Sequence, residues 1–465
     1  MSLCLRVFAL KSVSYSIRVF ARKIPTMQYF STNRKSAHVS FRDATLNGQP
    51  DDKGLYFPEQ IPKLSEDFWR NFAEKSKAQI AFEVIKPYVG DSIDDEMLFQ
   101  ICAETVNFDF PLVKISENIS TLELFHGATL AFKDVGARFM SRCLQYFSQK
   151  KQEKTIVIVA TSGDTGGAVA AGFYDVKDVE VIILYPKGKV SKVQELQLTT
   201  LGKNISALEV EGNFDDCQTL AKTALADTEL KQKVFLTSAN SINVARWLPQ
   251  QFYYFYALQQ WQRQFEISDL KSQTPVICVP SGNFGNICAG ILAHVSGLPC
   301  EKFIAATNAN DIIPRFLENW ILEIKPAVST LSNAMDVANP SNFVRILEIF
   351  DHDYLNLKEK LETYTVYDEG TADTIREVYE NFGYILDPHG AVGFYALNDY
   401  LFENPEKQGF FLETAHPIKF DSVEKILGTY GKMPESVKDL FSKPKQSIEI
   451  DANYEDLREI LLKKI

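Results

Sequence analysis

Lys133 lies among small and apolar residues in the run Phe125-His126-Gly127-Ala128-Thr129-Leu130-Ala131-Phe132-Lys133-Asp134, away from other cations. A lysine in a dry pocket loses part of its preference for the charged form and becomes a usable amine nucleophile. Schiff-base chemistry with a carbonyl cofactor needs such an amine. On its own, the run fits a half-buried lysine beside a helix start equally well. Two turns further along shift that balance: Thr161-Ser162-Gly163-Asp164-Thr165-Gly166-Gly167 and Ser281-Gly282-Asn283-Phe284-Gly285-Asn286. Turns this rich in small residues let backbone N–H groups approach an anion with no Cβ in the way. One is suited to a cofactor phosphate and the other to a substrate carboxylate.

The elements that must position these turns are readable around them. The apolar stretch 156–160 reads as a buried parallel strand before the first turn, and 168–174 as a helix after it. The stretch 276–279 reads as a strand before the second turn, with a helix over 287–295. Further strands are expected at 179–185, 206–211, 234–238, 303–308 and 408–414. Helices are expected at 135–149, 191–201, 215–229, 243–263, 342–350 and 371–382. This alternation predicts an α/β chain with two parallel-sheet lobes, helices on both faces, and ligands beyond the carboxyl ends of the strands. Residues 27–113, with helices over 68–84 and 97–106, read as a small amino-terminal domain. Residues 114–465 form the remaining region, with a smaller lobe at about 155–270 and a larger one at about 114–154 and 271–465. The aromatic run 252–256 has no interleaved basic residues, so it reads as a packed helix and not as a base-stacking platform.

Bulk properties exclude several function classes. A chain of 465 residues buries a large core. Its net charge of −11 argues against nonspecific nucleic-acid binding. No uncharged apolar run approaches membrane-spanning length. The seven cysteines are scattered without CxxC spacing, which predicts a reducing compartment, no disulfide framework and no metal site. There is no HExxH, P-loop, GxGxxG or GxSxG. Residues 1–26 are open to two readings. The first 42 residues lack acidic side chains, as a mitochondrial or plastid transit peptide would. Their alternating pattern fits that poorly, and Met27 looks like a natural start, which leaves 1–26 as an untranslated extension and the protein cytoplasmic.

From Met27 onward the chain closely resembles the threonine synthase family, pyridoxal-phosphate enzymes of fold type II, in its longer bacterial and fungal branch. The resemblance rests on Leu124–Asp134, Ala160–Gly166, Thr237–Asn243, Leu331–Val337, Asp387–Val392 and Thr414–Pro417. Ala128 departs from it, since the family usually has proline there. The resemblance implies conversion of O-phospho-L-homoserine and water to L-threonine and phosphate, by a monomer or homodimer. It implies that Lys133 binds the cofactor covalently and acts as the catalytic base. Gly282, Asn283, Phe284, Gly285 and Asn286 would donate to the cofactor phosphate, and Thr414 would hydrogen-bond the pyridine nitrogen. Ser162, Gly163, Asp164, Thr165 and Gly166 would hold the substrate carboxylate. Asp164 is the odd member, because an anion there repels; facing the cofactor 3′-oxygen or a neighbouring N–H suits it better, with a protonated carboxyl as one reading. Asn240, Ser241 and Arg246 are candidates for the substrate phosphate, with Lys187 a weaker one. His126 is open to pocket-lining and turn-stabilising readings, while His389 and His416 read as structural donors. Rival readings on the same scaffold are a phospho-lyase releasing 2-oxobutyrate, a serine or threonine dehydratase, and a cofactor-binding protein without catalysis.

Overall fold

The computed structural model describes residues 27–151, 155–270 and 272–464; the two readings of residues 1–26 lie outside the described residues. The amino-terminal segment forms a three-stranded antiparallel sheet from β1 (Gln28–Ser31), β2 (Val39–Ser40) and β3 (Tyr56–Pro58). Its aromatic side chains join the same buried cluster as the lobe helices. Phe57 stacks on Trp247 with ring centroids 5.9 Å apart, and Phe41 meets Phe147 at 6.4 Å. The segment therefore wraps the lobes and shares their core.

The chain then builds β4 (Leu112–Lys114) and β5 (Ile119–Glu123), followed by β6 (Thr155–Ala160), β7 (Val179–Pro186), β8 (Ile205–Glu211) and β9 (Phe235–Ser238). Next come β10 (Val276–Pro280), β11 (Lys302–Thr307), β12 (Leu361–Thr365), β13 (Gly409–Glu413) and, late in the chain, β14 (Ser447–Asp451). One sheet has the order β12-β11-β10-β13-β5-β4, parallel except for β4. The other, β14-β8-β7-β6-β9, is wholly parallel. Every residue of β6 and of β10 is buried, as strands covered on both faces require. The two expected lobes are thus present, with one correction. The larger lobe was expected to run to residue 465, but β14 pairs with β8 and the helix Tyr454–Lys463 packs into the smaller lobe's core. Leu457 and Leu461 have a buried apolar face to fill there.

Two expected helices are broken for identifiable reasons. The stretch 243–263 becomes the helix Val244–Trp247, a 3₁₀ turn at Leu248–Gln250 and the helix Gln251–Gln264, because Pro249 cannot donate within an uninterrupted helix. The stretch 68–84 divides at Ser76, whose side chain forms a reciprocal capping box with Gln79 and starts a new helix at Lys77. Helix Lys133–Lys151 behaves as expected. It buries Val135, Phe139, Cys143 and Phe147 at four-residue spacing, each large side chain contributing about 1.5–3 kcal/mol. That burial fixes the axis from whose first turn Lys133 projects. No described helix is long and apolar enough to cross a membrane.

Candidate active site

Lys133 opens its helix, and the loop before it is held from two directions. The buried carboxylate of Asp134 folds back to accept from Thr129 N at 2.8 Å and Thr129 Oγ1 at 2.5 Å. A Cβ on Gly127 would lie 2.4 Å from Asp134 Oδ2, so only glycine lets the carboxylate in. Burial pushes the Asp134 carboxyl upward, with Thr129 opposing the shift. From the other side, the segment after β13 runs antiparallel to the loop. Phe132 N donates to Thr414 O at 2.9 Å, and His416 N donates to Leu130 O at 3.0 Å. Those two bonds bring Lys133 and Thr414 together from positions far apart in sequence.

The Lys133 amine makes no hydrogen bond or ion pair among the described residues, and burial lowers its proton affinity. Asp164 opposes that shift; Lys419 and Arg246 add to it. The first glycine-rich turn caps the helix Asp164–Phe173. Gly163 has φ 142°, and a Cβ there would sit 2.5 Å from Gln194. Thr161 Oγ1 accepts from the N–H groups of Gly163 and Gly166, both at 2.9 Å. The N–H groups of Ser162, Asp164 and Thr165 have no acceptor among the described residues and remain available to an anion. Ser162 is exposed and Asp164 is buried.

The second turn precedes the helix Gly285–Val295. The left-handed residue is Phe284, at φ 58°, and not a glycine. Gly282 is needed for close approach instead, since its Cβ would meet Met335 Cα at 2.5 Å. The N–H groups of Gly282, Asn283 and Phe284 have no acceptor among the described residues. Asn286 is clamped through Oδ1 by the hydroxyls of Tyr253 and Tyr254, each at 2.7 Å, which leaves its buried Nδ2 without a partner. Asn283 Nδ2 donates to Ser241 Oγ at 2.8 Å, tying the turn to the segment after β9.

The remaining expected residues divide. Arg246 is buried at 2% exposure, donates through Nη1 to Ala239 O, and leaves Nε unpartnered. Burial pulls its guanidinium down to about 10. Asn240 Oδ1 is also buried and unpartnered. Lys187 is instead a surface residue paired with Glu211 and Glu449 at 3.0 and 3.1 Å, which removes it as a phosphate ligand. His126 is exposed, bonded to Glu123 Oε2 at 2.6 Å, and lines a cavity of ≈ 440 Å³ with Phe125, Ala128 and His416. His389 is structural, its Nδ1 2.5 Å from Asp387 Oδ1 and its Nε2 accepting from Ala334 N. No group of side chains that could hold a metal occurs among the described residues.

Asp164 differs from the expectation of a protonated carboxyl. It is paired with Lys419 Nζ at 2.6 Å and accepts from Gln194 Nε2 at 2.8 Å. Those partners hold it well below the usual carboxylate range despite burial. Lys419 and Gln194 were not singled out from sequence, nor was Arg345. Arg345 is fully buried over the Trp247 ring and donates to Tyr56 O and Ile242 O, joining the wrap to the segment after β9. The available signal for Lys419 was its place between Ile418 and Phe420, an apolar setting like that of Lys133.

These features fit pyridoxal phosphate: among the described residues there is an amine with no hydrogen bond or ion pair, a row of free N–H groups before a helix with an orphaned amide donor, and a Thr414 hydroxyl without a partner. Comparison with known proteins agrees. Residues 117–409 match the family model described as pyridoxal-phosphate dependent enzyme, 28–106 the threonine synthase amino terminus, and 390–461 the threonine synthase carboxyl-terminal region. Threonine synthase of Buchnera aphidicola subsp. Schizaphis graminum is 42% identical over 445 residues, covering 94% of this chain and 100% of that protein. The crystal structure of Escherichia coli threonine synthase matches with a TM-score of 0.86 at 40% identity, over 94% of this chain and all of the other. The cofactor-bound threonine synthase of Brucella melitensis matches at 0.87 and 33% identity, over 94% and 98%.

Proposed function

This chain belongs to the threonine synthase family of pyridoxal-phosphate-dependent lyases, and from that premise we propose that it converts O-phospho-L-homoserine and water to L-threonine and inorganic phosphate. The observation that carries the choice of substrate is Arg246: buried, close enough to depress the proton affinity of Lys133, and with Nε unpartnered among the described residues, it offers a cationic donor beside the lysine. A buried cation with a free donor suits a substrate phosphate.

Lys133, Thr414 and the turn Gly282–Asn286 would hold the cofactor by its carbonyl, ring nitrogen and phosphate. Bound there, pyridoxal phosphate supplies the electron sink for the carbons next to the substrate amine. The Lys133 amine would take protons from the substrate's Cα and Cβ and return them to Cα and Cγ. Burial favours the neutral amine that this task needs. The free N–H groups of Ser162, Asp164 and Thr165 take the substrate carboxylate, helped by Gly163 and Gly166, which keep the turn tight. The Asp164 side chain serves this site through its ion pair with Lys419, and only its backbone N–H contacts the substrate carboxylate. Arg246, Asn240 and Ser241 are assigned to the phosphate side, supported by the buried Arg246 Nε, a donor unpartnered among the described residues. Phosphate leaves Cγ, which gains the proton lost from Cβ, and water adds its hydroxyl to Cβ and gives its other proton to the phosphate. Location in the cytoplasm and a monomeric or homodimeric state complete the proposal.

Product analysis with purified full-length protein and O-phospho-L-homoserine tests it. Threonine appearing in step with phosphate is expected, and Lys133→Ala abolishes both. Phosphate accompanied by 2-oxobutyrate and no threonine makes the chain a phospho-lyase. Absence of phosphate release overturns the substrate assignment.

A further inference from the structure

Lys419 follows β13, within the segment that is laced to the cofactor-lysine loop, and is 0% exposed. Its ammonium has two protein partners: Asp164 Oδ1 at 2.6 Å and the carbonyl of Thr129 at 2.8 Å. The same two acceptors are each engaged a second time from the helix Lys192–Thr199. Gln194 Nε2 donates to Asp164 Oδ1 at 2.8 Å, and Gln197 Nε2 donates to Thr129 O at 2.9 Å. Three segments therefore meet at one buried ammonium: the lysine loop, the first glycine-rich turn of the smaller lobe, and the strand exit of the larger lobe.

A buried carboxylate without a cation is costly and takes whichever cation is near. Two ammonium groups compete for Asp164, those of Lys419 and Lys133. Only one outcome leaves a nucleophile. If Lys133 pairs with Asp164, its amine is protonated and unreactive toward a carbonyl. Lys419 has the advantage of a second acceptor in Thr129, whereas Lys133 Nζ has no hydrogen-bond acceptor among the described residues and only the Phe132 ring, 5.7 Å away. We propose that Lys419 is a positioning residue of this site: by holding Asp164 it keeps that charge from capturing the Lys133 amine. This rests on the assignment of Lys133 made above. The charged groups facing Lys133 are Asp164, Lys419 and Arg246, and those facing Lys419 include Asp164 and Asp134.

The test is the visible absorbance of the full-length protein with pyridoxal phosphate, followed against pH across the neutral and alkaline range. Lys419→Met should move the midpoint for cofactor capture upward by about one pH unit, equivalent to roughly tenfold weaker capture at neutral pH. Lys419→Arg should stay near wild type. Neutralising the partner as well, in Lys419→Met with Asp164→Asn, should return the midpoint, a rescue that mere loss of packing would not give. Asp164→Asn alone should lower it, which provides the reading should Lys419→Met fail to fold. An unchanged midpoint in Lys419→Met, no return in the double variant, or an unchanged midpoint in Asp164→Asn each overturns the inference. Lys133→Ala separates the two levels. A visible band retained in Lys133→Ala removes the underlying assignment; a band lost there, with no shift in the other variants, removes only the role of Lys419.

Discussion

Asp134→Ala isolates what holds the cofactor-lysine loop. The carboxylate accepts two bonds from Thr129, a residue only 2% exposed, so its removal strands a backbone N–H and a hydroxyl. Each stranded buried donor costs about 1–3 kcal/mol. Part of that sum is returned, because burial already opposes the charge, as the upward shift of the carboxyl shows. The net loss is therefore about 2–4 kcal/mol at neutral pH. Asp134→Asn keeps one acceptor of the same size and should fall between wild type and alanine. Urea unfolding followed by circular dichroism gives the global loss, and visible absorbance with pyridoxal phosphate reports on the loop. In Asp134→Ala the cofactor signal should weaken before unfolding begins, since the loop is undone first. If both variants unfold within about 0.5 kcal/mol of wild type and bind cofactor normally, the loop is held by its backbone bonds to Thr414 and His416 alone, and the argument fails.

Gly390→Ala should be severe, because the new Cβ would lie 1.4 Å from the buried Glu413 Oε2; a loss on the order of 3 kcal/mol is expected in thermal or urea unfolding, and a near-neutral result would contradict the packing described. A pH effect follows from His416, whose imidazole burial pushes down to about 4 from 6.5, with His126 adding to the shift. The folded state favours the neutral ring, so its stabilisation is present above about pH 6.5 and is lost as pH falls toward 4. Urea midpoints should decline through that window, and His416→Gln should flatten the decline.

The parts of the site that were legible in the sequence share a local signature. Each glycine-rich turn stands between an apolar strand and a helix, so β6, β10 and the helices after them could be read with the turn in place. Lys133 stood out because its neighbours were small. What escaped depends on partners distant in sequence. Lys419 and Asp164 acquire meaning only as a pair, and neither residue type predicts the other's position. The tyrosine clamp on Asn286 likewise joins two helices whose register no local pattern records. The strands β1, β2 and β3 are two to four residues long, too short to show alternation, and are defined by pairing with one another. In the second turn the glycines were read for close approach, and Gly282 packs against Met335 in that way; the left-handed position, which no residue type there signals, falls on Phe284, stabilised by burial against Phe343 at 5.7 Å. Tertiary packing offset a local cost there.

The pairing of β14 with β8 has a consequence for how the polypeptide is made. The smaller lobe's other strands emerge from the ribosome between residues 155 and 238, but the one that covers β8 comes only at Ser447–Asp451. Throughout the intervening synthesis the lobe carries an open strand edge, a ready template for pairing with another chain. Only once Ser447–Asp451 is made does that edge pass from β8 to β14, whose Glu449 and Asp451 place exposed charges along it and so discourage pairing with another chain.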